Sequence, residues 1–342
     1  MPAISSDDQF MSLALRLAKK GVGLTSPNPP VGALVVRSGK VLGEGWHCRA
    51  GEAHAELAAI KGAGGPAAVG GATLYVTLEP CSTHGRTPPC AEALINAGIG
   101  RVVWAIDDPN PAHSGRAAGL LHNAGIAVTR GVCEAAARSL LQPWTKFITT
   151  GLPWVIAKAG ISWDGKITRP EGEGRWLTND AARADAVKLR RRADAIIIGA
   201  ETLRRDDPAL TVRPALRGKV QPWRVVLTNS DSLPQEARLF NDEFKDRTLV
   251  YTRRSLDDSL RDLARRGVVI ALVEGGGTTL AHAFAQRMVD EVSFYVAPFI
   301  SGSGRPVVDP VHFTGGSVAL REIAFKTIGD NLRVTARVAA MP

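Results

Sequence analysis

Gly51-Glu52-Ala53-His54-Ala55-Glu56, followed by Glu79-Pro80-Cys81 and then Cys90, is the stretch that decides how the first half of this chain must fold. It offers one imidazole, two thiols and a carboxylate two residues beyond the imidazole. Zinc takes N and S donors of this kind tetrahedrally, and a catalytic zinc keeps a fourth position for water. Such a metal makes hydroxide available near neutral pH, and a neighbouring carboxylate can carry protons. Helices opening at His54 and Cys90, with a strand over 73–78 delivering Cys81 near its end, would bring the donors together. Helix starts also suit thiolates, because the positive end of the helix dipole stabilises anions. A lone histidine is usually packed or solvated, and the carboxylate two residues on at one helix start, with Pro-Cys at a strand end, weakens that reading here. The alternative is a closed structural zinc site with Cys48, six residues before His54, as fourth donor. That site would have no use for Glu56. Cys133 reads as a small buried hydrophobe.

Outward from this stretch the pattern is strand, helix, strand. Residues 7–20 carry apolar positions at helical spacing, and 31–36 with 40–46 form a hairpin joined by Arg37-Ser38-Gly39. Pro88-Pro89 precedes a helix from Cys90 to Ala97-Gly98, followed by a strand over 101–106, a helix over 115–124 and a strand over 126–129. This is an α/β layer structure. Pro143, Gly151 and Pro153 interrupt the pattern, so the chain is expected to divide into domains 1–147 and 148–342. A second α/β pattern follows, with strands at 154–158, 193–199, 224–227, 248–251, 268–274, 291–296 and 332–338 and a helix over 180–192. No Gly-x-Gly-x-x-Gly opens a dinucleotide unit. Gly275-Gly276-Gly277-Thr278-Thr279 lies between a strand and a helix over 279–287, where glycines let backbone N–H groups approach a phosphate. Such a turn is more often only a turn.

With 45% hydrophobic and 22% charged residues in 342, the composition is that of a globular protein. No apolar run approaches the roughly 18 residues of a membrane span. Asp7, Asp8, Arg16 and Lys19 interrupt the N-terminal segment, which is no signal-peptide core. Four cysteines are too few for a disulfide scaffold, and a cytoplasmic location is expected. The net charge of +9 points to anionic partners. Nucleic acid and phosphorylated small molecules both fit, although no lysine run or aromatic-laced basic stripe is present.

The His-x-Glu, Pro-Cys and second Cys are shared with zinc nucleobase deaminases. Together with Pro27-Asn28-Pro29-Pro30-Val31-Gly32, the run from Thr77 to Cys90 and Asp108-Pro109-Asn110-Pro111, they resemble the bifunctional deaminase–reductase family of riboflavin biosynthesis. The eight residues between Cys81 and Cys90 are a mark of that type. The second half is similar to the family's reductase part at Lys158, Ser162-x-Asp164-Gly165-Lys166, Trp176-x-Thr178, Leu189-Arg190, and Thr202 through Asp206-Asp207-Pro208-x-Leu210-x-x-Arg213.

The resemblance implies a cytidine-deaminase-like α/β/α domain followed by a dihydrofolate-reductase-like α/β domain. It implies one zinc per chain on His54, Cys81 and Cys90, with Glu56 as proton shuttle. Asn28, His47, His84, Arg86 and Asn110 would surround a phosphorylated pyrimidine, with Arg86 on its phosphate. In the second half Lys158, Asp206 and Glu274 would lie around the reacting ribose, with Arg190 and Arg213 on the phosphate and Gly174 and Leu210 against the substrate. Gly160, Trp176, Thr202, Asp206, Gly276, Gly277, Thr278 and Thr279 would touch NADPH. A homodimer is implied, with no nucleic-acid or membrane partner. Ala53, Ala117 and Gly174 depart from the family's usual proline, Gly-x-Gly and serine. The rival readings are a tRNA deaminase and a nucleotide-binding regulator with a structural zinc.

Overall fold

The computed structural model describes residues 6–83, 89–110, 113–174, 176–215 and 218–339. His84 and Arg86 lie outside them. The chain forms two compact units, Met1–Thr150 and Gly151–Pro342.

In the first unit the order is α1 (Ser6–Lys19), β1 (Gly32–Arg37), β2 (Lys40–Trp46), α2 (Ala55–Gly62), β3 (Thr73–Val76), α3 (Cys90–Asn96), β4 (Arg101–Trp104), α4 (Arg116–Asn123), β5 (Ala127–Arg130) and α5 (Glu134–Thr150). The sheet runs β2-β1-β3-β4-β5. Its first two pairings are antiparallel and its last two parallel, as the hairpin and the following helix crossovers require. Helix α2 lies unusually close to β2. A Cβ at Gly43 would sit 2.3 Å from the Ala59 carbonyl oxygen, and one at Gly45 would sit 2.3 Å from the Ala59 nitrogen. The two glycines therefore set how near α2, and the residues at its start, come to the sheet. Asp7 of α1 accepts from Tyr75 at 2.6 Å and from both Arg101 nitrogens at 3.1 and 2.7 Å, pinning α1 to β3 and β4.

The boundary expected from Pro143 falls inside a helix. Pro143 sits within α5, whose buried residues Ala137, Leu141 and Trp144 carry an apolar stripe through it. A proline forfeits one helical hydrogen bond, and burial of this stripe outweighs the loss. The helix continues past residue 147 to Thr150.

The second unit contains β6 (Trp154–Ile161), α6 (Asp180–Arg192), β7 (Ala195–Gly199), α7 (Ala200–Asp206), β8 (Trp223–Thr228), α8 (Arg238–Asn241), β9 (Thr248–Thr252), α9 (Leu256–Arg265), β10 (Ile270–Val273), α10 (Gly277–Ala285), β11 (Glu291–Val296), β12 (Leu320–Ile328) and β13 (Asn331–Val338). Its sheet runs β12-β13-β11-β6-β10-β7-β8-β9. Strands from β11 through β9 are parallel, and β12 and β13 pair antiparallel at the other edge. The central strands are buried without alternation, Ile270–Val273 wholly so, as expected where both faces of a parallel sheet are covered. Val155, Ile197, Leu260, Leu263 and Leu280 belong to one buried cluster, each side chain contributing about 1.5–3 kcal/mol on burial. Among the described residues no helix is long and apolar enough to cross a membrane.

Candidate active sites

His54 caps the start of α2 and Cys90 is the first residue of α3. Cys81 follows β3, and the three ligand atoms lie within 4.8 Å of one another. His54 Nδ1 is 3.2 Å from Cys90 Sγ and 3.6 Å from Cys81 Sγ, while the Cys90 N–H donates to Cys81 Sγ at 3.2 Å. The Cys81 thiol is pulled down to about 4 by its hydrogen bond from Cys90, aided by His54 against the cost of burial. Cys90, the proton donor of that pair, is pushed up by the same bond and by burial. One imidazole nitrogen and two cysteine sulfurs, that of Cys81 already a ready thiolate, are a donor set that fits zinc and leaves a coordination position open. Cys48 stands apart, exposed, with its thiol 3.6 Å from the Trp46 carbonyl. The closed four-donor alternative therefore gains no support.

Glu56, in the first turn of α2, is 4% exposed. Burial raises its pKa, and the His54 charge opposes the rise. His47 is also buried and held neutral chiefly by desolvation. Its Nδ1 lies 3.1 Å from the Ala53 carbonyl and its Nε2 3.0 Å from Asn28 Nδ2. With Nδ1–H donating, Nε2 accepts from the amide and leaves the Asn28 carbonyl oxygen free for another partner. Ala53 thus contributes through its backbone, which its side chain does not alter. Ala117 likewise contributes its N–H, which donates to Glu79 Oε1 at 3.1 Å. Glu79 Oε2 accepts from the Asp108 and Gly115 N–H groups at 3.0 Å each, so this carboxylate grips the segment around Asn110. Sequence reasoning assigns Glu79 no task. Its place at a strand end, beside the Pro-Cys, was the available signal.

In the second unit a cleft of about 1030 Å³ opens where strands of the parallel sheet end, the usual ligand position in such folds. Pairing of Val273 with Ala157 puts Glu274 beside Lys158, and their charged atoms are 3.9 Å apart. Arg190 of α6 clasps the Glu274 carboxylate with two bonds of 2.7 and 2.8 Å. Burial would push the Glu274 carboxyl up, but Arg190 and Lys158 hold it at about 2. Arg190, expected on a phosphate, is therefore already engaged, and its third nitrogen donates to the Thr211 carbonyl at 3.2 Å.

The cleft also collects Gly160, Gly174, Trp176, Thr202, Asp206 and Leu210, and the turn from Gly276 to Thr279. Gly174 has φ of 93°, where a serine would be strained, which accounts for the departure there. Trp176 is 56% exposed, with the Arg183 guanidinium 4.8 Å from its ring. Thr278 Oγ1 donates to Asp309 at 3.1 Å. Arg213 is exposed and is not part of the cleft wall. The wall instead includes Arg169, Arg183, Arg205 and Arg305, which no motif marks in the sequence.

Residues 4–106 match the cytidine and deoxycytidylate deaminase zinc-binding region, and residues 153–334 match the RibD C-terminal domain. The chain is 39% identical to the riboflavin biosynthesis protein RibD of Aquifex aeolicus, covering 95% of this chain and 97% of that one. It is 42% identical to RibD of Mycobacterium tuberculosis over 93% of each. Among solved structures, Acinetobacter baumannii RibD superposes with a TM-score of 0.89 at 34% identity, covering 98% of this chain and 99% of that one. A Thermotoga maritima structure described as a diaminohydroxyphosphoribosylaminopyrimidine deaminase/5-amino-6-(5-phosphoribosylamino)uracil reductase gives 0.83 at 32% identity over 98% and 99%. The chain belongs to the RibD family, a bifunctional riboflavin-biosynthesis enzyme with a zinc-dependent deaminase half and an NADPH-dependent reductase half.

Proposed function

We propose that the first unit replaces the 2-amino group of 2,5-diamino-6-(5-phosphoribosylamino)pyrimidin-4-one by oxygen, releasing ammonia. The second then reduces the ribosyl chain of the resulting 5-amino-6-(5-phosphoribosylamino)uracil to ribityl. The observation that carries the first step is the convergence of His54, Cys81 and Cys90 within 4.8 Å beside the buried Glu56. Those three residues hold the metal. Bound zinc supplies a Lewis acid that makes water nucleophilic near neutral pH. Glu56 takes a proton from the attacking water and passes it to the departing amine, a service worth about 10²–10⁴-fold. Asn28, oriented by His47, and Asn110 hold the pyrimidine, with His84 and Arg86 completing the set.

NADPH bound in the second unit would supply the hydride for the first ribose carbon of the ring-opened, imine-like substrate. Lys158, Asp206 and Glu274 surround that ribose, with Glu274 an ionised acceptor and the Lys158 ammonium the source of the proton that accompanies the hydride. Gly160, Trp176, Thr202, Asp206 and the turn from Gly276 to Thr279 seat the cofactor. The turn fits this task because it opens α10, where backbone N–H groups face outward to an anion. Gly174 and Leu210 contact the substrate and Arg213 receives its phosphate, while Arg190 holds the Glu274 carboxylate in position. For Arg213 that role rests on the family resemblance alone. Phosphorylated small molecules, rather than nucleic acid, then account for the basic balance, a reading supported by six Lys and Arg residues in the wall of one cleft.

The chain works as a cytoplasmic homodimer in this reading. Four unpaired cysteines support the location, and the exposed Leu320, Ile323 and Phe325 on edge strand β12 support self-association. The test is direct. Purified protein given the diamino substrate should release ammonia first and oxidise NADPH only after deamination. NADPH oxidation without prior ammonia release would refute the order.

A further inference from the structure

Glu79 is 3% exposed, two residues before a proposed metal ligand, yet none of the roles above uses it. Its backbone is fixed by an N–H bond to the Ile106 carbonyl at 2.9 Å. Its carboxylate accepts from three backbone N–H groups, those of Asp108, Gly115 and Ala117. These lie on the two limbs that flank Asn110. The limb bearing Asn110 is shaped further by Asp108, whose Oδ1 accepts the Asn110 N–H at 2.8 Å. The Asn110 carbonyl in turn accepts from His113 and Ser114 at 2.9 and 3.0 Å. A second tie crosses from the metal side, where Thr83 Oγ1 and His113 Nδ1 are 2.8 Å apart.

We propose that Glu79 is a positioning residue for deamination, holding both limbs so that Asn110 faces the pyrimidine. The inference rests on the assignment of Asn110 as a substrate ligand. Glu79 touches neither substrate nor metal in this account. A carboxylate suits the task because all its lone pairs accept, so it can take three N–H donors at once. An amide cannot. In Glu79→Gln one of the two oxygens becomes a donor, and at least one backbone N–H then faces another N–H without an acceptor. The same residue also ties the limbs to the strand end that leads into Cys81.

The experiment uses the full-length, zinc-loaded chain, with reduction of the deaminated pyrimidine as an internal control. Glu79→Gln, Asn110→Ala and the double variant are compared for zinc content, deamination KM and kcat, and reduction. Loss of a charge-assisted hydrogen bond predicts a KM raised about ten- to a hundredfold in Glu79→Gln. The kcat should change by less than about threefold, with zinc and reduction unaltered. The double variant should be no worse than Asn110→Ala within about twofold, because residues acting through one another are not additive. Additive losses, a fall in kcat at unchanged KM, or loss of zinc would overturn the proposal. If Asn110→Ala leaves KM unchanged, the Asn110 assignment itself has failed, and the inference with it. Should Glu79→Gln be insoluble, Glu79→Asp replaces it: a partial rise in KM supports the proposal, and an unchanged KM refutes it.

Discussion

Around the metal cluster three donors from residues 54–90 meet within 4.8 Å, whereas the reductase cleft draws its wall from Lys158 to Pro310 around about 1030 Å³. The first site concentrates its chemistry in a few atoms that must coincide. The second distributes its work over a surface that must be shaped. Removing one donor should therefore be catastrophic in the first, while most single changes in the second should be graded. The exception in the cleft is the ion cluster Lys158–Glu274–Arg190, where a point of convergence also exists.

The largest effect should come from stripping the metal. Chelation should abolish ammonia release and leave NADPH-dependent reduction of the deaminated pyrimidine intact, as two parallel assays on one sample would show. Parallel loss of both would erase the contrast between the sites. Next comes Glu56→Gln, which should keep zinc, as metal analysis would show, and lower deamination by at least about a hundredfold. If zinc is lost as well, Glu56 is a ligand.

Arg190→Ala should behave differently, because it strands a buried carboxylate. Breaking a buried pair by removing one partner costs about 3–5 kcal/mol, to be read as a loss of chemical stability in the second unit. Reduction should suffer with phosphorylated and unphosphorylated substrates alike. A defect confined to the phosphorylated substrate would make Arg190 a phosphate ligand first and a clasp second. The same cluster gives a pH signature. Glu274 has its folded-state pKa held at about 2, below the ordinary 4.5. Its contribution is therefore full above 4.5 and is lost as pH falls from there towards about 2. That amounts to about 3 kcal/mol. Acid titration of stability should be shallower over this range in Glu274→Gln, and an unchanged slope would show the cluster to be weakly coupled.

The smallest effect separates two places to divide the chain. We expect fragments cut after Thr150 to give a zinc-dependent deaminase and a chelator-resistant reductase. Cutting after residue 147 removes the last turn of α5, which should cost the first fragment only about 1 kcal/mol, the scale of a lost helix end. Denaturant melts of the two versions would measure it.

The same contrast governs what the sequence discloses. His54, Glu56, Cys81 and Cys90 are legible because metal ligation demands particular residue types at a few positions. Glu274, by contrast, is marked in the sequence by the family resemblance alone, and it is strand pairing that sets it beside Lys158. Arg190 shows the limit more sharply. Its side chain is recognisable as a site residue, but its grip on Glu274 depends on α6 crossing the end of β10, which no local pattern encodes. Helix α9 is different again. Ser255 accepts the Asp258 N–H at 3.0 Å, a start signal present in the sequence but remote from every candidate site residue. Pro143 misleads for the opposite reason, since tertiary burial overrides a residue that usually ends helices.

The close seating of α2 on β2 bears on how such a chain can diverge. Gly43 and Gly45 let main chain rest on main chain, so the height of His54 and Glu56 over the sheet is set by two backbones. Substitutions that swell or shrink the core elsewhere change side-chain volumes without touching that spacing. The reaction centre is thereby insulated from neutral drift in its surroundings, and the cost of that freedom is concentrated at two residues. A saturation library of the first unit should find Gly43 and Gly45 among its least tolerant positions, although neither meets metal or substrate. A β2 that accepted alanine at both would show that α2 can tilt without moving Glu56.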